Sequence, residues 1–345
     1  MPRYPLPLRW LLPLLVATLL LAHTAGRHLT GNAASAPADP TPFLVQSGCL
    51  DAEGRLRPGV LPIDPGCARR RPLAADDPLP YGKHDWPAAA AAAALPAGYQ
   101  ASDSRLGTES GRPVAVQSFD FGDPGRQFGR LDPGDGGQIV QVLPGGTYIT
   151  MTEDGGGGIQ WFRGPGCRRD ADSGLAGWLL FGPGVPGPAW EGAVAELRIA
   201  PARDSCPAGF DRAATRWRLA RLPLPVREAR AEAPDIREAV LDVIVSEHFG
   251  GADPATADHL ERFFLARDLG LVRWERWENR AVSRRQGLDA MAAQLDGRCP
   301  PLAYSDAPVA SRASGWMMVD CRTWTNFVRA APGAAPTALP WPRTP

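Results

Sequence analysis

From Tyr99 onward the chain is divided into short runs that alternate apolar and polar residues, and this constrains the fold more than any other feature. Period-two alternation marks half-buried strands, because successive side chains on a strand point to opposite faces. In Val114-Ala115-Val116-Gln117-Ser118-Phe119-Asp120-Phe121 the valines fall on one face and the phenylalanines on the other. Gln138 to Leu143 and Thr147 to Thr152 alternate on either side of Pro144-Gly145-Gly146, which predicts a hairpin. Ile159 to Phe162, Trp178 to Phe181, Glu196 to Ile199 and Thr215 to Leu222 continue the series. With 38 glycines and 37 prolines breaking up these runs, the expectation is a mainly β protein of the sandwich or barrel class.

The last third mixes signals and predicts a second β-rich unit with one or two short helices. Ile236, Ala239, Val240, Val243 and Ile244 fit a helical stripe, yet Val240 to Val245 reads equally as a strand. Glu261 to Arg267 and Leu271 to Trp277 predict a hairpin about Asp268-Leu269-Gly270. Leu288, Met291, Ala292 and Leu295 predict a helix over Arg284 to Leu295, and Trp316 to Val319 a final strand leading to Cys321.

At the other end, Arg3 and Arg9 precede the apolar run Trp10 to Ala22, and the small residues Ala33, Ala34, Ser35 and Ala36 follow. That order is a secretory signal, and its core is too short to span a bilayer. The expectation is an exported chain, periplasmic or extracellular, with no stable membrane insertion once residues 1–36 are removed. Six cysteines in an exported chain read as three disulfides, with 15 connectivities open. The sequential one, Cys49–Cys67, Cys167–Cys206 and Cys299–Cys321, closes only local segments and is the one expected. Residues 37–96 then form a disulfide-pinned irregular arm and linker, 97–222 a β-sandwich, 223–330 the second unit and 331–345 a Pro-rich tail. Whether the two β-rich parts share one core stays open at this level.

Basic and acidic residues number 37 each, so no net field favours nucleic acid as a partner. Gly182-x-Gly184-x-x-Gly187 matches a dinucleotide fingerprint in letters only, because Pro183, Pro186 and Pro188 remove the N–H groups a pyrophosphate needs. No organic cofactor is expected. Asp120, Asp123, Asp132 and Asp135 lie in two glycine-rich turns and could supply oxygens to a structural calcium ion, or simply form the turns.

Arg273-Trp274-Glu275-Arg276-Trp277 is the densest aromatic and charged stretch. Alternation places Arg273, Glu275 and Trp277 on one face and Trp274 on the other. An exposed indole edged by Arg and Glu suits a sugar ring, so Trp161, Trp274 and Trp277 are candidate stacking platforms, with Arg273 and Glu275 at their edges. Cross-strand Arg–Glu pairs shielding a core Trp are the competing arrangement. Glu247, His248 and Glu275 are the candidate acid/base groups for a polysaccharide hydrolase or lyase.

Gly137-Gln138-Ile139-Val140-Gln141-Val142-Leu143-Pro144-Gly145-Gly146-Thr147-Tyr148-Ile149 resembles the strand–turn–strand pattern of galactose-binding-like carbohydrate modules. The resemblance implies a jelly-roll sandwich and a glycan ligand. Three functions follow from the sequence: a carbohydrate-binding protein, a secreted polysaccharide hydrolase or lyase, and a non-catalytic envelope structural protein.

Overall fold

The two longest strands show how the sequence fits its sheet. Asp211–Glu228 pairs antiparallel with Asp235–Phe249 along fourteen registered positions, although the first strand contains Pro223 and Pro225. Both prolines lie opposite Val240 and Glu238, on positions whose N–H turns away from the partner, so no bond between these two strands is lost. The apolar residues at 236, 239, 240, 243 and 244 therefore belong to a strand. The helical spacing they also satisfy loses to long-range pairing.

The computed structural model describes residues 38–85, 101–109, 112–120, 136–153, 159–163, 178–201, 211–228, 235–295, 299, 302 and 315–331. The expected signal segment 1–36, Cys167, Cys206 and the tail from 332 lie outside them. The protein is mainly β. Its strands are β1 (Ser47–Cys49), β2 (Arg70–Pro72), β3 (Tyr81–His84), β4 (Ala101–Glu109), β5 (Arg112–Asp120), β6 (Gly136–Leu143), β7 (Gly146–Glu153) and β8 (Ile159–Arg163). They continue with β9 (Trp178–Phe181), β10 (Glu191–Pro201), β11 (Asp211–Glu228), β12 (Asp235–Phe249), β13 (His259–Ala266), β14 (Gly270–Asn279), β15 (Trp316–Thr323) and β16 (Asn326–Arg329). Two short helices, α1 (Thr41–Leu44) and α2 (Leu288–Ala293), complete the described elements.

One hydrogen-bonded path runs β15-β14-β13-β12-β11-β16-β3-β4-β5-β6-β7-β9, with β10 added to β11 and β8 to β10. Strands before and after residue 222 thus belong to one sheet. The predicted hairpins form: β6 pairs β7 through Leu143↔Gly146, and β13 pairs β14 across a turn where Asp268 and Gly270 both adopt left-handed φ of 66° and 67°. The β6–β7 hairpin is the segment that resembles carbohydrate modules, but this strand order does not establish a jelly roll. The predicted helix shortens to Leu288–Ala293, starting after Gly287 at φ 73°. None of its side chains is buried, so packing gives it little to extend along.

The sheet buries both faces. On one, Ala115, Val140 and Ile149 of β5–β7 and Leu180 of β9 pack against Trp217, Ile244, Phe263 and Trp274 of β11–β14. On the other, Leu222, Val243, Val245, Phe264 and Val272 meet Leu61 and Tyr81 from the N-terminal arm. The arm is less irregular than its composition suggests. β1 pairs β2, bringing Ser47 opposite Pro72, and the Cys49–Cys67 disulfide closes the segment between them. Cys299–Cys321 is likewise bonded, so the protein is disulfide-stabilised. No helix among the described residues is long and apolar enough to cross a membrane.

Candidate functional site

Four strands bring four charged residues into one row. Cross-strand register places Arg216 opposite Glu247, Glu247 opposite Arg262, and Arg262 opposite Glu275. Arg273 joins from two residues along β14, on the same face as Glu275. The contacts alternate in sign: Arg216 Nε to Glu247 Oε2 at 2.5 Å, Arg262 Nε to Glu247 Oε1 at 2.8 Å, Arg262 Nη1 to Glu275 Oε2 at 3.1 Å and Arg273 Nε to Glu275 Oε1 at 2.7 Å. Trp277 Nε1 donates to Glu275 Oε2 at 2.9 Å.

This ladder is buried. The side chains of Glu247, Arg262, Glu275 and Arg273 are at most 4% exposed, and only Arg216, at 18%, reaches solvent. Aromatic rings cover the guanidinium faces: Trp190 lies 4.3 Å from Arg216, and Trp277 5.6 Å from Arg262. Three cations and two anions taken out of water hold together because each carboxylate is shared between two guanidinium groups. Burial pushes the Glu275 carboxyl up, but Arg273 and Arg262, with the Trp277 N–H, outweigh that and hold it below the ordinary carboxylate range.

His248 stands on the other side of the sheet. Adjacent residues on β12 alternate, so Glu247 joins the ladder while His248 enters the main core at 1% exposure. Its ring sits 4.6 Å from Trp178 and 4.9 Å from Phe263. Nε2 lies 2.8 Å from Ser246 Oγ, and that hydroxyl donates to the carbonyl of Leu180. Ser246 therefore accepts from Nε2–H, and Nδ1 is left without a hydrogen-bond partner. Burial alone pulls the imidazole down to about 3, so it stays neutral.

These positions correct two expectations. Glu247, His248 and Glu275 do not converge on one substrate: the histidine faces away from both carboxylates, and the Arg262 guanidinium bridges the space where a glycosidic bond would have to lie. Trp274 is not a surface platform either, since it is 5% exposed and belongs to the core. The competing arrangement from the sequence, Arg–Glu pairs across strands with a core Trp, is what β13 and β14 show; Arg276 Nη1 to Glu261 Oε1, at 2.7 Å, adds another pair.

Trp277 is half-buried among the charges. Trp161 lies on β8, opposite Ile199 of β10, and β14 pairs β13 and β15, so strand pairing does not place it beside Trp277. Asp120 ends β5, and Asp123, Asp132 and Asp135 lie outside the described residues. Among the described residues no group of three or more His, Cys, Asp or Glu could hold a metal ion.

Sequence reasoning missed the role of Lys83, the chain's only lysine. It is 1% exposed, and its Nζ donates to the carbonyls of Leu269, at 2.7 Å, and Leu271, at 2.9 Å, clamping the β13–β14 turn. Burial pulls its ammonium down to about 7, with Asp103 opposing. Asp268 of the same turn accepts from Ser47 Oγ, at 2.9 Å, and from Arg70, at 3.1 Å. A lysine in an Arg-rich chain was the available signal: a compact ammonium fits between two carbonyls where a planar guanidinium does not. No family model matches the chain, and comparison with curated proteins and with solved structures gives no match.

Proposed function

We propose that this is an exported, disulfide-braced β protein that acts by binding or scaffolding rather than by turnover. The observation that carries the reading is the state of the acid/base candidates. Glu247 and Glu275 are buried with their oxygens occupied by guanidinium donors and, at Glu275, by the Trp277 indole N–H, and Arg273 and Arg262 hold the Glu275 carboxyl below the ordinary carboxylate range. His248 is neutral, on the opposite face and within the core. General acid catalysis requires a proton within reach of the leaving group, and this arrangement offers none at these three residues.

A glycan remains the ligand class that the half-buried stretch of β14 at Arg276 and Trp277 would suit, with Trp277 as its one described stacking ring. The test is to incubate the purified, oxidised protein with a panel of polysaccharides and read retention and released products on the same samples. The expected result is no product. New reducing ends or unsaturated products that disappear in Glu275→Gln would overturn the proposal. Retention lost in Trp277→Ala, without products, would identify the ligand as carbohydrate.

A further inference from the structure

β12 is longer than its neighbour. β11 covers it from Asp235 to His248, but β13 pairs only with Val243 to Phe249, so among the described residues no strand pairs with the other side of residues 235–241. Strand geometry fixes which groups face it. The carbonyl of Asp242 accepts from Arg267 N–H at 2.9 Å, on the β13 side. Every second residue before it, Val240, Glu238 and Ile236, therefore turns its N–H and C=O the same way. The prolines opposite Val240 and Glu238 agree with that assignment. No hydrogen bond to another described residue uses these groups, and Ile236 and Val240 are 57% and 56% exposed.

The open side is a groove of about 370 Å³ in the lane β13 would occupy if it continued. Pro62 and Ile63 of the arm form part of its wall, and the β13–β14 turn closes one end. Of its charged lining, Arg70, Arg221 and Arg267 with Asp242 and Asp268 belong to the turn or the strand positions beside it, while Arg237 and Glu238 lie farther along β12. Arg70 pairs with Asp268 at 3.1 Å and Arg267 with Asp242 at 3.7 Å, while Arg221 has no ion-pair partner among the described residues. One positive charge is left over where an inserted strand would end.

We infer that this lane binds the extended carboxy-terminal segment of a partner polypeptide, added as a strand parallel to β12 with its terminal carboxylate at Arg221. The backbone groups of Ile236, Glu238 and Val240 supply the ladder, the apolar walls take alternate side chains, and the arginine end fixes the direction. A second copy of this chain fits less well. The two-fold register that stacks Ile236 on Val240 also sets Glu238 against its own copy, opposing like charges directly. The chain's own residues 331–345 contain five prolines, which lack the N–H donors a ladder needs. This inference is independent of the non-catalytic reading: products released from a polysaccharide would overturn that reading and leave this one standing.

The test uses the full oxidised chain and a random heptapeptide library displayed with free carboxyl ends. Selected peptides are resynthesised as acid and amide, and binding is followed by fluorescence anisotropy. The acid is expected to bind about tenfold tighter than the amide. Arg221→Gln should abolish that difference, and Glu238→Pro, which removes an outward N–H, should weaken both forms; each variant's melting curve reports its fold. No selected peptide, equal affinity of acid and amide, or indifference to Arg221→Gln would overturn the inference. So would a wild-type dimer that Glu238→Pro converts to monomer, because a second copy would then hold the lane.

Discussion

His248 gives the sharpest test of how the core is organised. A group whose folded pKa lies below its unfolded value stabilises the fold fully above the unfolded value. That contribution is lost as the pH falls toward the folded one, because the unfolded chain takes up the proton first. For His248 the window runs from the ordinary 6.5 down to about 3. At about 1.4 kcal/mol per unit, acidification across it should remove about 5 kcal/mol of stability. His248→Phe keeps a ring between Trp178 and Phe263 and leaves Ser246 its bond to Leu180, so at pH 8 it should cost only about 1 kcal/mol. Urea unfolding followed by tryptophan fluorescence at pH 8, 6.5, 5 and 4 gives both stability curves. The wild-type curve should fall more steeply than the variant's by up to about 1.4 kcal/mol per pH unit. Parallel curves would refute the reasoning, since a histidine that water can reach has no such slope.

Other perturbations probe the remaining buried groups. Glu247→Ala leaves Arg216 and Arg262 without their shared carboxylate and should cost about 3–5 kcal/mol in a thermal or urea melt. Arg216→Met, at the solvent-reaching end, should cost clearly less; equal losses would mean that the ladder does not act as a buried unit. Lys83 binds its proton more weakly folded than unfolded, so stability should rise between about pH 7 and its ordinary 10.5, and Lys83→Met should flatten that rise. Glu275 has a dependence of the same sign in a more acidic window: its contribution is present above the ordinary carboxylate range and lost as the pH drops through its lowered folded value, so Glu275→Gln should blunt the acid limb. Replacing Cys49 and Cys67 by serine opens a loop of 18 residues and should lower stability by about 3 kcal/mol, with limited trypsin digestion cutting first between 51 and 70.

Much of the candidate site was legible locally and little of it globally. The alternation of Arg273-Trp274-Glu275-Arg276-Trp277 correctly separated a core-facing indole from one lying among charges, because side-chain direction on a strand depends only on position parity. The partners of Glu275 could not be read. Arg262 is thirteen residues away and Glu247 a further fifteen, and they meet only because β12, β13 and β14 pair in one particular register. The same limit explains why Glu247 and His248 resembled an acid/base set: neighbours in sequence, they are directed to opposite faces, and which face is core depends on what packs there.

The sequence alone therefore determined what short-range physics controls: the mainly β class, the β6–β7 and β13–β14 hairpins with their Gly and Asp turn residues, and cysteine pairs that close local loops. Tertiary structure decided what depends on register and burial. It extended a helix-like stripe into β12, threaded Lys83 beneath the β13–β14 turn, and lined up five charges from four strands. It also left one edge of β12 without a partner strand among the described residues. Turns and alternation involve neighbouring residues, whereas register is settled only when distant strands exclude water together.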